Sequence, residues 1–334
     1  MKILIAIPRK DIIDTVFNEA ALKKMNALST SVDWVDTDTP YTSEQLAKAA
    51  KEYDVIFSSW GSPRYTEDVI KGASKLKFTG HIAGSMVHVF DPAIFQTDIV
   101  SVNANRVLAF ATAELAVALM IAGSWDLHGF QVRMGQGLWS KTKTGSVPGL
   151  AGQTIGIIGY GEISKEVMRL LKPFHNRFLV YSSYCPQEEA EKNGFTLCDL
   201  DSLLQQSDIV SLHNTLTSKT KGMIDKKKLD MIKDGALLVN TARGAIIKQD
   251  DLIESLKENR YFAALDVYEQ EPLPTDSELL KLENVTCTPH IGALSKYYKS
   301  TMALAVVDDL ERWTKNEPLH GHVDLEKYER MTRG

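Results

Sequence analysis

Three cysteines in 334 residues leave little for covalent or metal scaffolding. Cys185, Cys198 and Cys287 are odd in number, widely spaced and never in a C-x-x-C arrangement, so neither a disulfide framework nor a zinc site is expected. Basic charge is short as well. The 38 Lys and Arg against 43 Asp and Glu give a net charge of −5 without a long basic run, which argues against a nucleic-acid-binding surface. The opening MKILIAIPRK holds a run of only five apolar residues before Pro8, too few for a signal peptide, and reads as the first strand of a cytoplasmic protein. Long apolar runs are scarce. The nearest is Val107 to Trp125, where Glu114 is the single charge. An Ala-rich stretch with a carboxylate at mid-span is a poor membrane crosser, and a helix buried between two domains or two subunits explains it better. Low-complexity segments are missing, as are internal repeats beyond two α/β halves.

What remains is an ordinary globular composition, 44% hydrophobic and 24% charged, in a length that suits about two domains. Short apolar runs alternate with helical patterns from the start. Strands are expected at Lys2–Ile7, Val32–Val35, Val55–Ser58, Phe78–Ile82 and Ile99–Val102, with helices at Ile12–Leu28 and, behind a Thr42-Ser43 cap, Ser43–Lys51. Strands separated by helices imply a parallel sheet covered on both faces. A long helix over about 107–128 carries the chain onward. The Gly-rich stretch Met134 to Gly152 reads as a surface loop anchored by Leu138, Trp139 and Leu150.

The chain is organised around Gln153 to Ser183. The strand Ile155–Ile158 leads into Gly159 and Gly161, then into a helix with Ile163, Val167, Leu170 and Leu171 on one side, then into the strand Phe178–Tyr181. This is the first βαβ unit of a dinucleotide-binding sheet. Gly159 makes the tight turn, Gly161 lets the backbone approach a pyrophosphate, and the helix N-terminus offers free N–H groups and the positive end of its dipole. Two positions depart from the pattern. Ser164 replaces the third glycine, and the ribose-reading position is Ser182, followed by Ser183, with no acid there. Further strands follow at Ile209–His213, Ala236–Asn240, Phe262–Asp266 and Val285–Cys287, making six in this half. Leu294 to Lys315 is an amphipathic helix too late for that sheet, and it is expected to return to the first domain. His320-Gly321-His322 lies in a polar tail where solvated imidazoles, not a metal site, are expected.

Three strand-end stretches carry the remaining chemistry: VNTARG at 239–244, LDVYEQEP at 265–272 and TPHIG at 288–292. They supply Arg243, Glu271 and His290. Taken singly, Arg243 suits a surface ion pair, Glu271 a solvated loop acid and His290 a core histidine.

Together, GYGEIS after a strand, VNTARG, ALDVYEQEPLP and TPHIG, in this order, resemble the D-isomer-specific 2-hydroxyacid dehydrogenases. That family includes D-3-phosphoglycerate dehydrogenase and glyoxylate/hydroxypyruvate reductases. The likeness spans the whole length, strongest from Gly149 to Gly292 and looser through AGSM and VNANRVLAFATAE. It implies an α/β protein of two doubly wound parallel-sheet domains, a Rossmann coenzyme domain (104–293) and a flavodoxin-like, discontinuous substrate domain (1–103 plus 294–334), with an active-site cleft between them. It also implies hydride transfer between a nicotinamide coenzyme and a D-2-hydroxy acid or 2-keto acid. His290 would be the acid/base, Glu271 its partner and Arg243 the clamp on the substrate carboxylate, aided by backbone N–H groups at Gly84 and Ser85. No metal is implied, and a homodimer is.

The coenzyme contacts implied by the same resemblance are Gly159, Gly161, Glu162 and Ile163 at the pyrophosphate and Ser182 at the adenosine ribose. His213, Asn214 and Thr215 would line the adenine side with Thr220. Asp266 and Thr241 would take the carboxamide, Thr112 would lie near the nicotinamide, and Ala242, Arg243, His290 and Gly292 would border it. Asn214-Thr215 departs from the family's usual apolar residue and Pro after His213. NAD or NADP stays open, because Ser182 removes the usual acid while Tyr184 stands where a phosphate-gripping arginine would help. His81, Met86, His88, Arg106 and Phe110 are expected to shape the substrate's side-chain pocket. Formate dehydrogenase is the enzymatic alternative, disfavoured because its histidine pairs with glutamine. A nucleotide-sensing corepressor-like protein is the alternative outside catalysis.

Overall fold

The computed structural model describes residues 1–139 and 146–331. The chain folds into two compact units, Met1–Ala109 with Leu294–Gly334 and Phe110–Ala293. The change of unit falls inside one helix, Asn105–Ser124.

In the first unit β1 (Lys2–Ile5), β2 (Ser31–Trp34), β3 (Val55–Ser58), β4 (Phe78–His81) and β5 (Val100–Asn103) form one parallel sheet in the order β2-β1-β3-β4-β5. The pleat sends alternate residues to opposite faces. Ile3, Ile5, Phe57 and Val102 join one core, and Leu4, Ala6 and Ile56 join another. Both faces are covered, which is why these strands read as continuous apolar runs. The late helix Lys296–Thr314 belongs to this unit, burying Met302, Val306, Val307 and Leu310 in the same core as Ile3 and Phe57. It approaches β4 at Gly80, where a Cβ would collide with Val306 and Phe57.

The second unit holds β6 (Thr154–Ile158), β7 (Arg177–Tyr181), β8 (Thr196–Leu197), β9 (Ile209–Leu212), β10 (Leu237–Asn240), β11 (Phe262–Leu265) and β12 (Val285–Cys287). All neighbours are parallel, in the order β12-β11-β10-β9-β6-β7-β8. Strand order reverses between β6 and β9, the switch point where doubly wound sheets take their ligands. The sheet has seven strands, not six. β8 is a two-residue edge strand on β7, too short to show alternation.

Three other expectations change. Ile12–Leu28 is two helices, Lys10–Val16 and Glu19–Leu28, because the Asn18 side chain accepts the Ala21 N–H at 2.8 Å and starts a new helix. The stretch 107–128 also divides, into Asn105–Ser124 and Leu127–Gly135, at Asp126 with φ 48°, a left-handed conformation that Asp tolerates. Asn105–Ser124 is long and apolar enough to cross a membrane by length and composition. Ala113, Ala116 and Met120 on it are core residues of the second unit. Of the proposed loop anchors, Leu150 is buried in that core, whereas Leu138 and Trp139 are exposed; residues 140–145 of that loop lie outside the described residues.

The segment at His320–His322 is no loose tail. Buried Asp309 accepts the His320 and Gly321 N–H groups, each at 2.7 Å, and Asn103 and Val323 pair their N–H groups with Gly321 and Ser101 carbonyls. The imidazoles of His320 and His322 stay exposed. Among the described residues no cluster of His, Cys, Asp or Glu is arranged to hold a metal.

Candidate active site

Arg243, Glu271 and His290 leave the carboxyl ends of three adjacent strands, β10, β11 and β12. Asn240 closes β10 and shapes the turn that follows: its Oδ1 accepts the Ala242 N–H and its Nδ2 donates to the Arg243 carbonyl, both at 3.0 Å. The Arg243 guanidinium donates to the Ala242 carbonyl at 2.6 Å. The next residue, Gly244, lies against the loop after β11; a Cβ there would fall inside the Tyr268 carbonyl and against the Glu269 nitrogen. Only glycine lets the arginine turn come this close to the loop that carries Glu271.

Glu271 is fixed at both oxygens. Oε1 accepts the Tyr268 N–H at 3.0 Å, and Oε2 meets His290 Nδ1 at 2.6 Å. The His290 side chain is 45% exposed. With Nδ1 engaged by a carboxylate, Nε2 is left for a ligand. His290 has φ 53°, and Asp266 supports the loop that bears it. The Asp266 carboxylate is almost wholly buried, accepting Thr288 Oγ1 (2.6 Å), the Ile291 N–H (2.8 Å) and the Gly292 N–H (2.9 Å). It therefore braces the histidine loop, with acceptor capacity left on Oδ2 alone. Tyr268 joins the same strand ends through its hydroxyl, bonded to the Leu265 and Thr288 carbonyls at 3.0 and 2.9 Å. Burial lowers the Arg243 pKa, and the nearby Glu271 carboxylate opposes that shift. The cation stays charged, since guanidinium keeps its proton in proteins.

Asn240, Tyr268 and Gly244 are the residues that reading the sequence did not assign to the site. Asn240 and Gly244 flank Arg243, and Asn at a strand end is a turn signal that could have flagged the first.

The residues expected to contact a coenzyme lie largely along the same edge of the sheet. Gly159, after β6, has φ 95°, and a Cβ there would sit 2.7 Å from the Asn214 backbone, so turn and packing both require glycine. At Gly161 a Cβ would meet nothing within 4 Å, which leaves open space before the helix Glu162–Leu171. Ser164 is fully buried, and its hydroxyl bonds both the Gly161 N–H (2.7 Å) and carbonyl (2.9 Å). The third fingerprint residue thus caps the helix as well as fitting the contact. Thr220 folds the loop after β9 by donating to the Thr215 carbonyl at 2.6 Å. Gly292 lies beside Thr112 of the helix Asn105–Ser124, whose methyl is 3.4 Å from where a Cβ would be. Ser182 follows β7.

Three buried polar atoms here find no partner: His213 Nδ1, Asn214 Oδ1 and Thr241 Oγ1. His213 Nε2 is engaged by Ser211 at 2.9 Å, and burial pushes the imidazole pKa down to about 4, keeping it neutral. Buried polar groups are ordinarily satisfied, and leaving one unpaired costs roughly 1–3 kcal/mol. Orphans clustered at strand ends that border an open glycine turn fit a polar ligand such as a dinucleotide.

Gly84 and Ser85 belong to the first unit, in the loop after β4. Asn103 Nδ2 donates to the Gly84 carbonyl at 2.8 Å. His81 bonds Ser58 Oγ through Nδ1 at 3.0 Å, and its ring also bonds the Ser85 backbone. His81 and Met86 are buried, His88 and Arg106 are exposed and Phe110 is half-buried.

The family description "D-isomer specific 2-hydroxyacid dehydrogenase, NAD binding domain" matches residues 117–292. Among curated proteins, D-3-phosphoglycerate dehydrogenase of Archaeoglobus fulgidus is 33% identical over 296 residues, 88% of this chain and 56% of that protein. The chain thus spans about half the length of that relative. Glyoxylate reductase of Thermococcus litoralis is 33% identical over 291 residues, 85% of this chain and 87% of the relative. In fold, a phosphoglycerate oxidoreductase from Rhizobium etli superposes with a TM-score of 0.83 at 21% identity, over 96% of this chain and 97% of that one. The chain belongs to the D-isomer specific 2-hydroxyacid dehydrogenase family.

Proposed function

We propose that the protein is an NAD(P)-dependent oxidoreductase that interconverts a D-2-hydroxy acid and its 2-keto acid. The observation that carries this reading is the 2.6 Å pair of His290 Nδ1 and Glu271 Oε2, set on strand ends beside the half-buried Arg243. When bound, the nicotinamide ring supplies or accepts the hydride. The chain's own residues do the rest. In reduction His290 Nε2 hands a proton to the oxygen of the keto group as negative charge builds there, and in oxidation it takes that proton back. Glu271 holds the ring in place and balances the imidazolium charge. Arg243 binds the substrate carboxylate through two parallel hydrogen bonds and places positive charge near the reacting oxygen.

Small 2-keto acids are the substrate class, in keeping with the relatives of comparable length, which carry the names glyoxylate reductase and hydroxypyruvate reductase. The test follows loss of reduced-nicotinamide absorbance with NADH and NADPH against glyoxylate, hydroxypyruvate, pyruvate and bulkier 2-keto acids. Turnover with at least one acid, giving the D-hydroxy product, is the expected result. Tight coenzyme binding without turnover of any acid would reject the reading and leave a nucleotide-sensing role.

A further inference from the structure

The end of β7 is where an adenosine ribose is read, and three observations there concern charge. First, Tyr181 is followed by Ser182, Ser183 and Tyr184, and the first acid after the strand is Glu188. The carboxylate that accepts a ribose 2′-hydroxyl, and repels a 2′-phosphate, is missing. Second, the Ser182 hydroxyl accepts the Tyr184 N–H at 3.2 Å, so its own proton is left to donate while it folds the loop into a turn. Third, the structure sets a cation over the ring of Tyr160, whose hydroxyl bonds Glu189 on the helix Gln187–Asn193 that follows this loop. Lys165, one turn into the helix Glu162–Leu171, lies with its ammonium 5.1 Å from the centre of the Tyr160 ring. At Cys185, three residues beyond Ser182, burial and the Glu189 carboxylate raise the thiol pKa and the Lys165 charge opposes them. Lys165 forms no salt bridge among the described residues. The neighbouring acid Glu189 instead accepts the Tyr160 hydroxyl at 3.0 Å. Arg177, by contrast, sits at the opposite end of β7.

We propose that Lys165, with the Ser182 and Ser183 hydroxyls, forms a site for the 2′-phosphate of NADP(H), which makes the phosphorylated coenzyme the preferred one. A lysine ammonium is a compact charge on a flexible stem, held here over an aromatic face beside the loop. It meets a phosphate without the fixed fork of an arginine, and the two hydroxyls supply donors that a carboxylate could not. The inference rests on the coenzyme reading of this sheet but not on the reaction assigned to it.

The decisive experiment is calorimetric titration of the whole protein with 2′,5′-ADP and with 5′-AMP, two probes that differ by the 2′-phosphate alone. The wild type should bind 2′,5′-ADP at least about tenfold more tightly at low salt, an advantage that shrinks as salt is raised. In Lys165→Gln that advantage should fall to about twofold or less with 5′-AMP affinity unchanged, which doubles as the check that the exposed substitution leaves the fold intact. Ser182→Asp should abolish the preference, because a carboxylate there repels the 2′-phosphate and accepts the 2′-hydroxyl of 5′-AMP. Equal affinities for the two probes in the wild type, or an undiminished preference in Lys165→Gln, would overturn the proposal. Because no turnover is measured, tight 2′,5′-ADP binding by a protein that reduces no 2-keto acid would reject the reaction and leave this site standing.

Discussion

Glu271 has two obligations, and they separate by substitution. One oxygen is tied to the Tyr268 N–H and the other to His290. Glu271→Gln keeps the shape and removes the charge that balances an imidazolium, so turnover should drop by about ten- to a hundredfold with coenzyme affinity unchanged. Steady-state rates beside a coenzyme titration check this. Asp266 is different, because three hydrogen bonds commit it to the loop that bears His290. Asp266→Ala strips the acceptor from Thr288, Ile291 and Gly292 in a buried place, which should cost about 3 kcal/mol or more in urea unfolding. Arg243, Glu271 and His290 could be singled out in the sequence because the motifs VNTARG, LDVYEQEP and TPHIG resemble those of a known family; taken singly, each residue had an ordinary surface or core explanation. Asn240 and Tyr268 could not. Their partners are main-chain atoms of the same or neighbouring loops, and nothing in residue spacing reports such contacts.

At the scale of elements, the loop after β10 and the loop after β11 meet only because residue 244 has no side chain. Gly244→Ala places a methyl group inside the Tyr268 carbonyl. The two loops must then part, which separates Arg243 from Glu271 and loosens the site more than the fold. A destabilisation of about 1–3 kcal/mol is expected from the overpacking. The 2-keto acid KM should rise by about tenfold or more, since a mispositioned Arg243 no longer clamps the carboxylate, while 5′-AMP binding at the far end of the coenzyme edge holds. A variant with wild-type kinetics would show that the approach of the two loops is irrelevant to the site. Strand positions were largely readable from sequence, because strands covered on both faces are nearly uninterrupted apolar runs. The breaks were not. Asn18 and Asp126 each sit within a helical pattern, and the side-chain cap or left-handed backbone that ends the helix there leaves hydrophobic periodicity almost undisturbed. β8 escaped for the opposite reason, being too short to have a pattern.

Taken as a whole, the molecule carries a buried histidine in each unit whose pKa lies near 4, His81 in the first and His213 in the second. Burial disfavours the charged imidazolium in both. Between the ordinary histidine value of about 6.5 and the folded value, the unfolded chain takes up a proton that the folded chain refuses, so stability falls as pH drops through this window. For fully buried His81 the loss reaches about 3 kcal/mol at the acid end and does not grow below it. Urea unfolding compared at about pH 7 and about pH 5 should show a smaller acid penalty in His81→Gln than in the wild type, by about 2 kcal/mol. Equal penalties would mean that His81 is protonated in the fold. Its bonds to Ser58 and to the Ser85 backbone would then need another explanation. The central claim concerns the other unit: that His290, held by Glu271, moves the proton of a 2-hydroxy acid reaction. The most direct measurement is 2-keto acid reduction by the wild type and His290→Gln, with coenzyme binding determined on the same samples. The account predicts a loss of turnover of at least about a hundredfold with coenzyme affinity within about threefold of the wild type. Retained turnover in the variant would contradict it.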